Sequence, residues 1–479
     1  MNKSMVRYLL AKLLIIEAGL LFIPLIVAFI YHEPMKVITS ITGTIGLCLL
    51  IGLAGNAVKP KNLHIYTKEG LLIVALVWVM WSFFGALPFV FAGQIPSIID
   101  AFFEVSSGFT TTGATILPDV SVLSPSLMFW RSFTHLIGGM GVLVFALAIM
   151  ANNKNAHLEV MRAEVPGPVF GKLVSKLKDT AQLLYIIYLV MFAVFTLILF
   201  FEGMPFYDSL IIAMGTAGTG GFTVYNDGLA PYHSSLINYT VAIGMLAFGV
   251  NFNLYYLLLI RKFKAFFGDE ELRAYLLIVL SATVMIVLNI GHLYSSLAQT
   301  IEYSFFEVSS IITTTGFGLL DMSKWPLFSQ FVLLLLMFIG GSAGSTAGGF
   351  KVARAVIVSK IARTQALSTL YPNRLFAVHV NGQVLDKKTQ HSILKYLTIY
   401  LLIFLAVTFC LTLDTDTFMT AFSGAASTFN NIGPMLGTTD TFAIYSPFNK
   451  FLLSIAMIAG RLEIYPMLLL FLPKTWSKL

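Results

Sequence analysis

The residues with the clearest chemistry are threonines and glycines in short clusters that recur. Residues 102–113 read FFEVSSGFTTTG and residues 305–316 read FFEVSSIITTTG, identical at ten of twelve positions. Glycine adopts backbone dihedrals that other residues resist, and threonine adds a hydroxyl on a stiff β-branched stem. Several successive carbonyls on such backbone can replace the water shell of a cation. Residues 217–222 (AGTGGF) and 429–434 (FNNIGP) are weaker copies. The four clusters end at Gly113, Gly220, Gly316 and Gly433, with gaps of 107, 96 and 117 residues. One cluster alone would equally suit a helix end capped by glycine. Four in sequence indicate an internal repeat.

Three further features bear on the same chemistry. Residues 340–349 place Gly340, Gly341, Gly344, Gly348 and Gly349 among Ser342, Ala343, Ser345, Thr346 and Ala347, midway down an apolar run. Each glycine weakens a helix by about 1 kcal/mol relative to alanine. The helix is therefore expected to break, and the loop must be shielded by protein or line a cavity. It lacks the Gly-Lys-Ser/Thr ending of a phosphate-binding loop, because Phe350 stands between Gly349 and Lys351. A gate is one use for such a loop; a broken helix with no moving part is the plainer alternative. Arg461 lies near the middle of the last apolar run, where arginine costs roughly 2.5–3.5 kcal/mol to insert. It is expected to be a fixed positive charge below the clusters, or to pair with a carboxylate or carbonyls of another helix. Glu104 and Glu307 occupy the same position in the twin stretches. They either hold backbone amides behind the clusters or serve packing.

The elements that position these residues follow from composition. The chain has 479 residues, 57% hydrophobic and 11% charged, against about 25% charged in soluble domains. It is expected to be an all-α polytopic membrane protein. Two plain apolar runs are followed by four copies of span, short segment, span, giving ten spans and four re-entrant helices. Each short segment is too short to cross about 30 Å of hydrocarbon. The divisions fall at 1–58 (two N-terminal spans), 59–155, 156–262, 263–366 (containing the glycine loop) and 367–479. Each repeat has two spans, so all four share one orientation. That argues against an inverted repeat and favours a pseudo-four-fold ring, with the twin segments facing each other across it. Of 30 Lys and Arg, 25 fall on the side that holds both termini, which marks that side as cytoplasmic. Topology thus accounts for the net charge of +7 without a nucleic-acid partner. Cys48 and Cys410 lie in apolar runs and suggest neither a disulfide framework nor a metal site. No nucleophile–base pair or cofactor fingerprint points to an enzyme. An ion-coupled secondary transporter of another small solute and a non-transporting sensor or scaffold are the competing classes.

With these residues assembled, the chain resembles the Trk/Ktr/HKT superfamily of potassium transporters, bacterial TrkH type. The resemblance rests on TTTG at 110–113 and 313–316, TGGF at 219–222, NNIGP at 430–434, GGSAGSTAGGFK at 340–351 and GRLEIYP at 460–466. Phe350 departs from it, where an aliphatic residue is expected. The resemblance implies uptake of K+ across the bacterial cytoplasmic membrane, with no covalently bound cofactor. The ion would be held by carbonyls of Thr111, Thr112 and Gly113; Gly218, Thr219 and Gly220; Thr314, Thr315 and Gly316; and Asn431, Ile432 and Gly433. It also implies that residues 340–349 form a gate, with Arg461 at the barrier. Lys351 is grouped with the gate from its place beside the loop, and Glu104 and Glu307, from their repeat position, either support the filter or serve packing. The expected partners are a second copy of the chain in a homodimer, a cytosolic nucleotide-binding regulatory subunit (TrkA-like), and the lipid bilayer.

Overall fold

Long runs of Leu, Ile, Val and Phe in lipid must satisfy their own backbone hydrogen bonds, and helices are the way to do so segment by segment. The computed structural model, which describes residues 2–62, 67–141, 177–438 and 440–476, is accordingly helical. Among the described residues the strands are one two-residue hairpin, His379–Val380 against Gln383–Val384.

The N-terminal pair is α1 (Lys3–Leu20), continued after a short break by α2 (Phe22–Ile30), and α3 (Met35–Asn56). Four units follow. In the first, α4 (Thr67–Ala92) leads to the short α5 (Ile98–Phe109), and α6 (Pro125–Gly139) returns. In the second, α7 (Leu177–Phe201) leads to α8 (Phe206–Gly218), and α9 (Ser235–Phe248) returns into α10 (Phe252–Leu259). After the small α11 (Phe263–Gly268), the third unit has α12 (Glu270–Ile290), α13 (Leu297–Ile312), α14 (Leu327–Ile339) and α15 (Val352–Leu370). The fourth has α16 (Lys387–Leu411), α17 (Phe418–Phe429), α18 (Pro447–Arg461), α19 (Tyr465–Phe471) and α20 (Pro473–Trp476). The regular copies extend to detail: one 3₁₀ turn of three residues follows each short helix, at Val120–Val122, Ala230–Tyr232, Met322–Lys324 and Phe442–Ile444.

The helices differ in how far each runs without a break. Among the described residues six helices are long and apolar enough to cross a membrane, or seven if the bent pair α9 and α10 is one span. The returning helices α6, α9, α14 and α18 have only 15, 14, 13 and 15 residues. Three of them visibly break where they pass under the short helices. α9 turns by 92° into α10 at residues 249–251. α14 ends at Gly340, whose φ is +71°. α18 ends before Glu463 and Ile464, both with positive φ. The glycine loop is therefore the elaborate version of a break that recurs in the fold. Residues 142–150, 151–176 and the boundary expected at 155/156 lie outside the described residues.

Candidate functional site

Each of the four short helices ends in the same two hydrogen bonds. Thr112 N–H donates to Ser107 O at 2.8 Å, Gly220 to Gly215 at 2.7 Å, Thr315 to Ser310 at 2.9 Å and Ile432 to Ser427 at 2.8 Å. One residue earlier, Thr111, Thr219, Thr314 and Asn431 donate three residues back at 3.1, 3.1, 3.1 and 3.3 Å. This is the Schellman closure of a helix C-terminus, in which the left-handed residue is usually glycine. Here it is Thr111, Thr219, Thr314 and Asn431, with φ of 55°, 55°, 56° and 59°. Left-handed backbone at a β-branched residue is strained by roughly 1–2 kcal/mol. The surrounding structure must enforce it.

The left-handed glycines come two residues later. Gly113, Gly221, Gly316 and Gly433 have φ of 75°, 77°, 77° and 110°. This corrects the register of the second cluster. Gly221, not Gly220, is the counterpart of Gly113; Gly220 corresponds to Thr112, and Gly218 is the last residue of α8. Two adjacent glycines conceal this in the sequence, because only dihedrals distinguish them. The clusters also form a closed ring. A Cβ built on Gly113 would run into Gly220 O, one on Gly221 into Thr315 O, one on Gly316 into Ile432 O, and one on Gly433 would come within 2.8 Å of Thr112 O. Each loop thus leans on the next, and the same carbonyl of every quarter belongs to the ring. That order sets the twin segments opposite each other.

Above the ring lies a cavity of about 900 Å³, lined by Gly113, Gly221, Gly316 and Gly433 together. Asp227, Asp321 and Asp440 also line it. The Ser323 hydroxyl and amide, together with Lys324, hold the Asp321 carboxyl below the usual carboxylate range. A nearby loop carboxyl, Asp119, is likewise held low by Ser121 and Asn226. Both remain ionised through neutral pH, so the mouth carries fixed negative charge.

Behind the ring, Glu104 accepts hydrogen bonds from Ile116 N–H at 2.9 Å and the Thr115 hydroxyl at 2.8 Å. Glu307 accepts from Leu319 N–H at 3.2 Å. Both carboxylates therefore hold the backbone that climbs out of the ring, at the same twelve-residue separation. In the fourth unit Ser423 does this for Leu436 N–H at 2.9 Å. Glu104 is also paired with Arg131 at 2.7 Å, and that guanidinium lies 3.4 Å from the Phe222 ring centre. Arg131 and His135 are not singled out as site residues from the sequence, although Arg131 stands within a span as Arg461 does. His135 is fully buried, with Nδ1 2.7 Å from Gly108 O and Nε2 accepting from Phe222 N–H at 3.3 Å. Both residues stand on one apolar span, and an ionisable residue within a span is the signal that could have found them.

Beneath the ring, residues 340–349 fold back toward it. Gly348 N–H donates to the Thr314 hydroxyl at 2.6 Å, and a Cβ on Gly348 would meet Asn430 O. Lys351, buried, reaches Ala347 O. Arg461 donates to Thr346 O at 2.6 Å, Gly138 O at 2.8 Å and Gly139 O at 2.7 Å. Its partners are thus carbonyls of the loop and of the first unit, and the residue is a charge under the ring as well. The loop's other side rests on Glu271, unnoticed in the sequence, whose Oε1 accepts from Ala343 N–H at 2.6 Å and Ala353 N–H at 3.1 Å. Phe350 stacks among Tyr396 and Tyr400, with ring centres at 6.1 and 5.8 Å. An aromatic residue there is explained by those neighbours.

The profile of a family described as cation transport protein, TrkH, matches residues 39–478. The chain is 33% identical over 487 residues to the Trk system potassium uptake protein TrkH of Escherichia coli (strain K12), covering 100% of both chains. It is 32% identical over 460 residues to the Trk system potassium uptake protein TrkG of the same strain, covering 95% of this chain and 94% of that one. The crystal structure of the potassium transporter TrkH from Vibrio parahaemolyticus superposes with a TM-score of 0.90 at 29% identity, over 100% of both chains.

Proposed function

We propose that this chain, which belongs to the TrkH family of cation transport proteins, is a multi-pass inner-membrane protein that takes up potassium through the ring of four loops. The family is one of transporters, not enzymes. The observation that carries the proposal is the cavity of about 900 Å³ whose floor is formed by Gly113, Gly221, Gly316 and Gly433 at once. A path bounded equally by four units of one orientation has the symmetry an ion on an axis requires. Cations gather in the acidic mouth and then exchange water for backbone oxygens. The candidate oxygens belong to Thr111, Thr112 and Gly113; Thr219, Gly220 and Gly221; Thr314, Thr315 and Gly316; and Asn431, Ile432 and Gly433. Interlocking of neighbouring loops supports a rigid ring, which resists collapse around a smaller ion.

Residues 340–349 act as the gate in this reading. Their seat directly below the ring and their seal by Arg461 and Lys351 support it. The four pore repeats take the divisions proposed from sequence, except that the third keeps α15 to its end at Leu370, and both termini are cytoplasmic. A homodimer docked on a cytosolic nucleotide-binding subunit of TrkA type completes the system. The relatives' designation as parts of a Trk system supports an assembly with regulatory subunits.

The test is Rb+ and Na+ flux through purified protein in liposomes. Gly113→Ser places a side chain on left-handed backbone against Gly220 O. It is expected to raise Na+ flux relative to Rb+. An unchanged ratio in a folded variant removes the filter assignment, and the absence of Rb+ flux in the parent protein removes the function.

A further inference from the structure

A second cavity, of about 420 Å³, shares no lining residue with the ring and lies between α1, α3, α4 and Trp476. On α1 its wall runs from Lys3 and Arg7 through Leu10 to Leu14, a single stripe at helical spacing. At 1.5 Å per residue that stripe is about 16 Å deep, close to half of the ~30 Å hydrocarbon core. Met80 and Phe84 of α4 close the apolar end. α1 and α3 can touch here because Gly55 faces Ala11; a Cβ on Gly55 would be 2.7 Å from the Ala11 methyl.

The chemistry changes along the cavity. Its deep part is hydrocarbon, and its mouth has two cations one helical turn apart and an indole. Arg7 is anchored there by a hydrogen bond from Nη2 to Val58 O at 3.1 Å, which ties the end of α3 to the start of α1. Trp476 is 43% exposed at the rim, and tryptophan is enriched at the membrane–water boundary. A ligand that complements this gradient has one negative headgroup and an apolar tail as long as a leaflet is thick. We propose that the cavity is a site for an anionic phospholipid, with one acyl chain between α1 and α4 and the phosphate against Lys3 and Arg7. On the orientation proposed above it belongs to the cytoplasmic leaflet, where such lipids attract basic residues. The bound lipid fastens α20, and through it the strand of chain leading from Arg461, to the N-terminal pair.

The experiment uses the full chain in a neutral detergent–phosphatidylcholine mixture, titrated with phosphatidylglycerol or phosphatidylcholine carrying brominated acyl chains. Trp476 is the reporter, because Trp78, Trp81 and Trp130 are fully buried and Trp325 is 3% exposed; Trp476→Phe confirms the origin of the signal. With about 1 kcal/mol for each basic residue at a headgroup, the glycerol lipid should bind ~30-fold more tightly than the choline lipid. Lys3→Gln with Arg7→Gln should bring the two lipids to equal affinity while Rb+ flux persists. Ile51→Phe, which narrows the cavity from its lipid side, should weaken both lipids and keep their ratio. Equal quenching by the two lipids in the parent chain overturns the proposal, as does an unaltered ratio in the double variant. Absence of quenching by either lipid also overturns it.

Discussion

Glu271 provides the sharpest test of how the loop beneath the ring is held. One oxygen of its carboxylate accepts both Ala343 N–H, inside the glycine loop, and Ala353 N–H, just after it, at 2.6 and 3.1 Å. Hydrogen bonds to a charged group contribute about 1.5–3 kcal/mol each when buried. Glu271 is only partly buried, and water replaces part of what Glu271→Ala removes. Two such bonds amount to about 3 kcal/mol at the low end; with water recovering half of that at a partly buried site, the net loss is about 1.4 kcal/mol, a ~10-fold shift from closed toward open for the proposed gate. Glu271→Gln keeps an acceptor oxygen but no charge, and a ~3-fold shift is expected, or about 0.7 kcal/mol on the same scale. Rb+ uptake into liposomes from purified protein without regulatory partners measures this directly. Both variants should raise flux in that order. Shortening residues 340–349 should raise it further in the parent, and Glu271→Ala should add nothing in the shortened background. Wild-type flux from folded Glu271→Ala refutes the latch. A full additional increase in the shortened protein would show that Glu271 acts elsewhere.

Other perturbations probe the ring and its seal. Arg461→Gln removes a charge-assisted donor set to Thr346, Gly138 and Gly139; uptake should become faster and less dependent on gating partners, as read by the same liposome assay. Thr111→Gly relieves left-handed strain of about 1–2 kcal/mol and frees the loop; selectivity for Rb+ over Na+ should fall while thermal stability holds or rises. Glu104→Gln leaves the buried Arg131 without its carboxylate, 2.7 Å away, a change that typically destabilises by about 3–5 kcal/mol; a lower unfolding temperature in detergent checks it.

Much of this arrangement was legible in the chain because the repeats carry the same side chains for the same task. Glu104 and Glu307 share a position, and each meets the backbone amide twelve residues on. The glycines of 340–349 announced their own break. What stayed hidden depends on dihedrals or on partners far apart in sequence. The second cluster has adjacent glycines, so its register was set only by the left-handed φ of Thr219 and Gly221. The break at Glu463 and Ile464 has no glycine at all to mark it; Ile464, β-branched, has a φ of +70°, a conformation such residues resist. Glu271 is one of three consecutive acids at a helix start, and its loop partners are 72 and 82 residues away. The polar interval after residue 351 hid a regular helix, Val352–Leu370, because its faces lack the apolar contrast that marks a span.

The ring closes where the first and last units meet, and this seam joins parts of the chain made at opposite ends of synthesis. Thr112 takes a hydrogen bond from Asn431 at 2.9 Å, Thr115 O from Phe442 N–H at 2.9 Å, and Asp100 pairs with Lys450 at 2.8 Å. Gly138 and Gly139 wait for Arg461. Three quarters can dock on one another as they emerge, yet the carbonyl of Thr112 has no neighbouring glycine until Gly433 arrives. A nascent chain halted before its last unit therefore holds both twin segments but no closed ring, because the contact of Gly433 with Thr112 O is the last to become available.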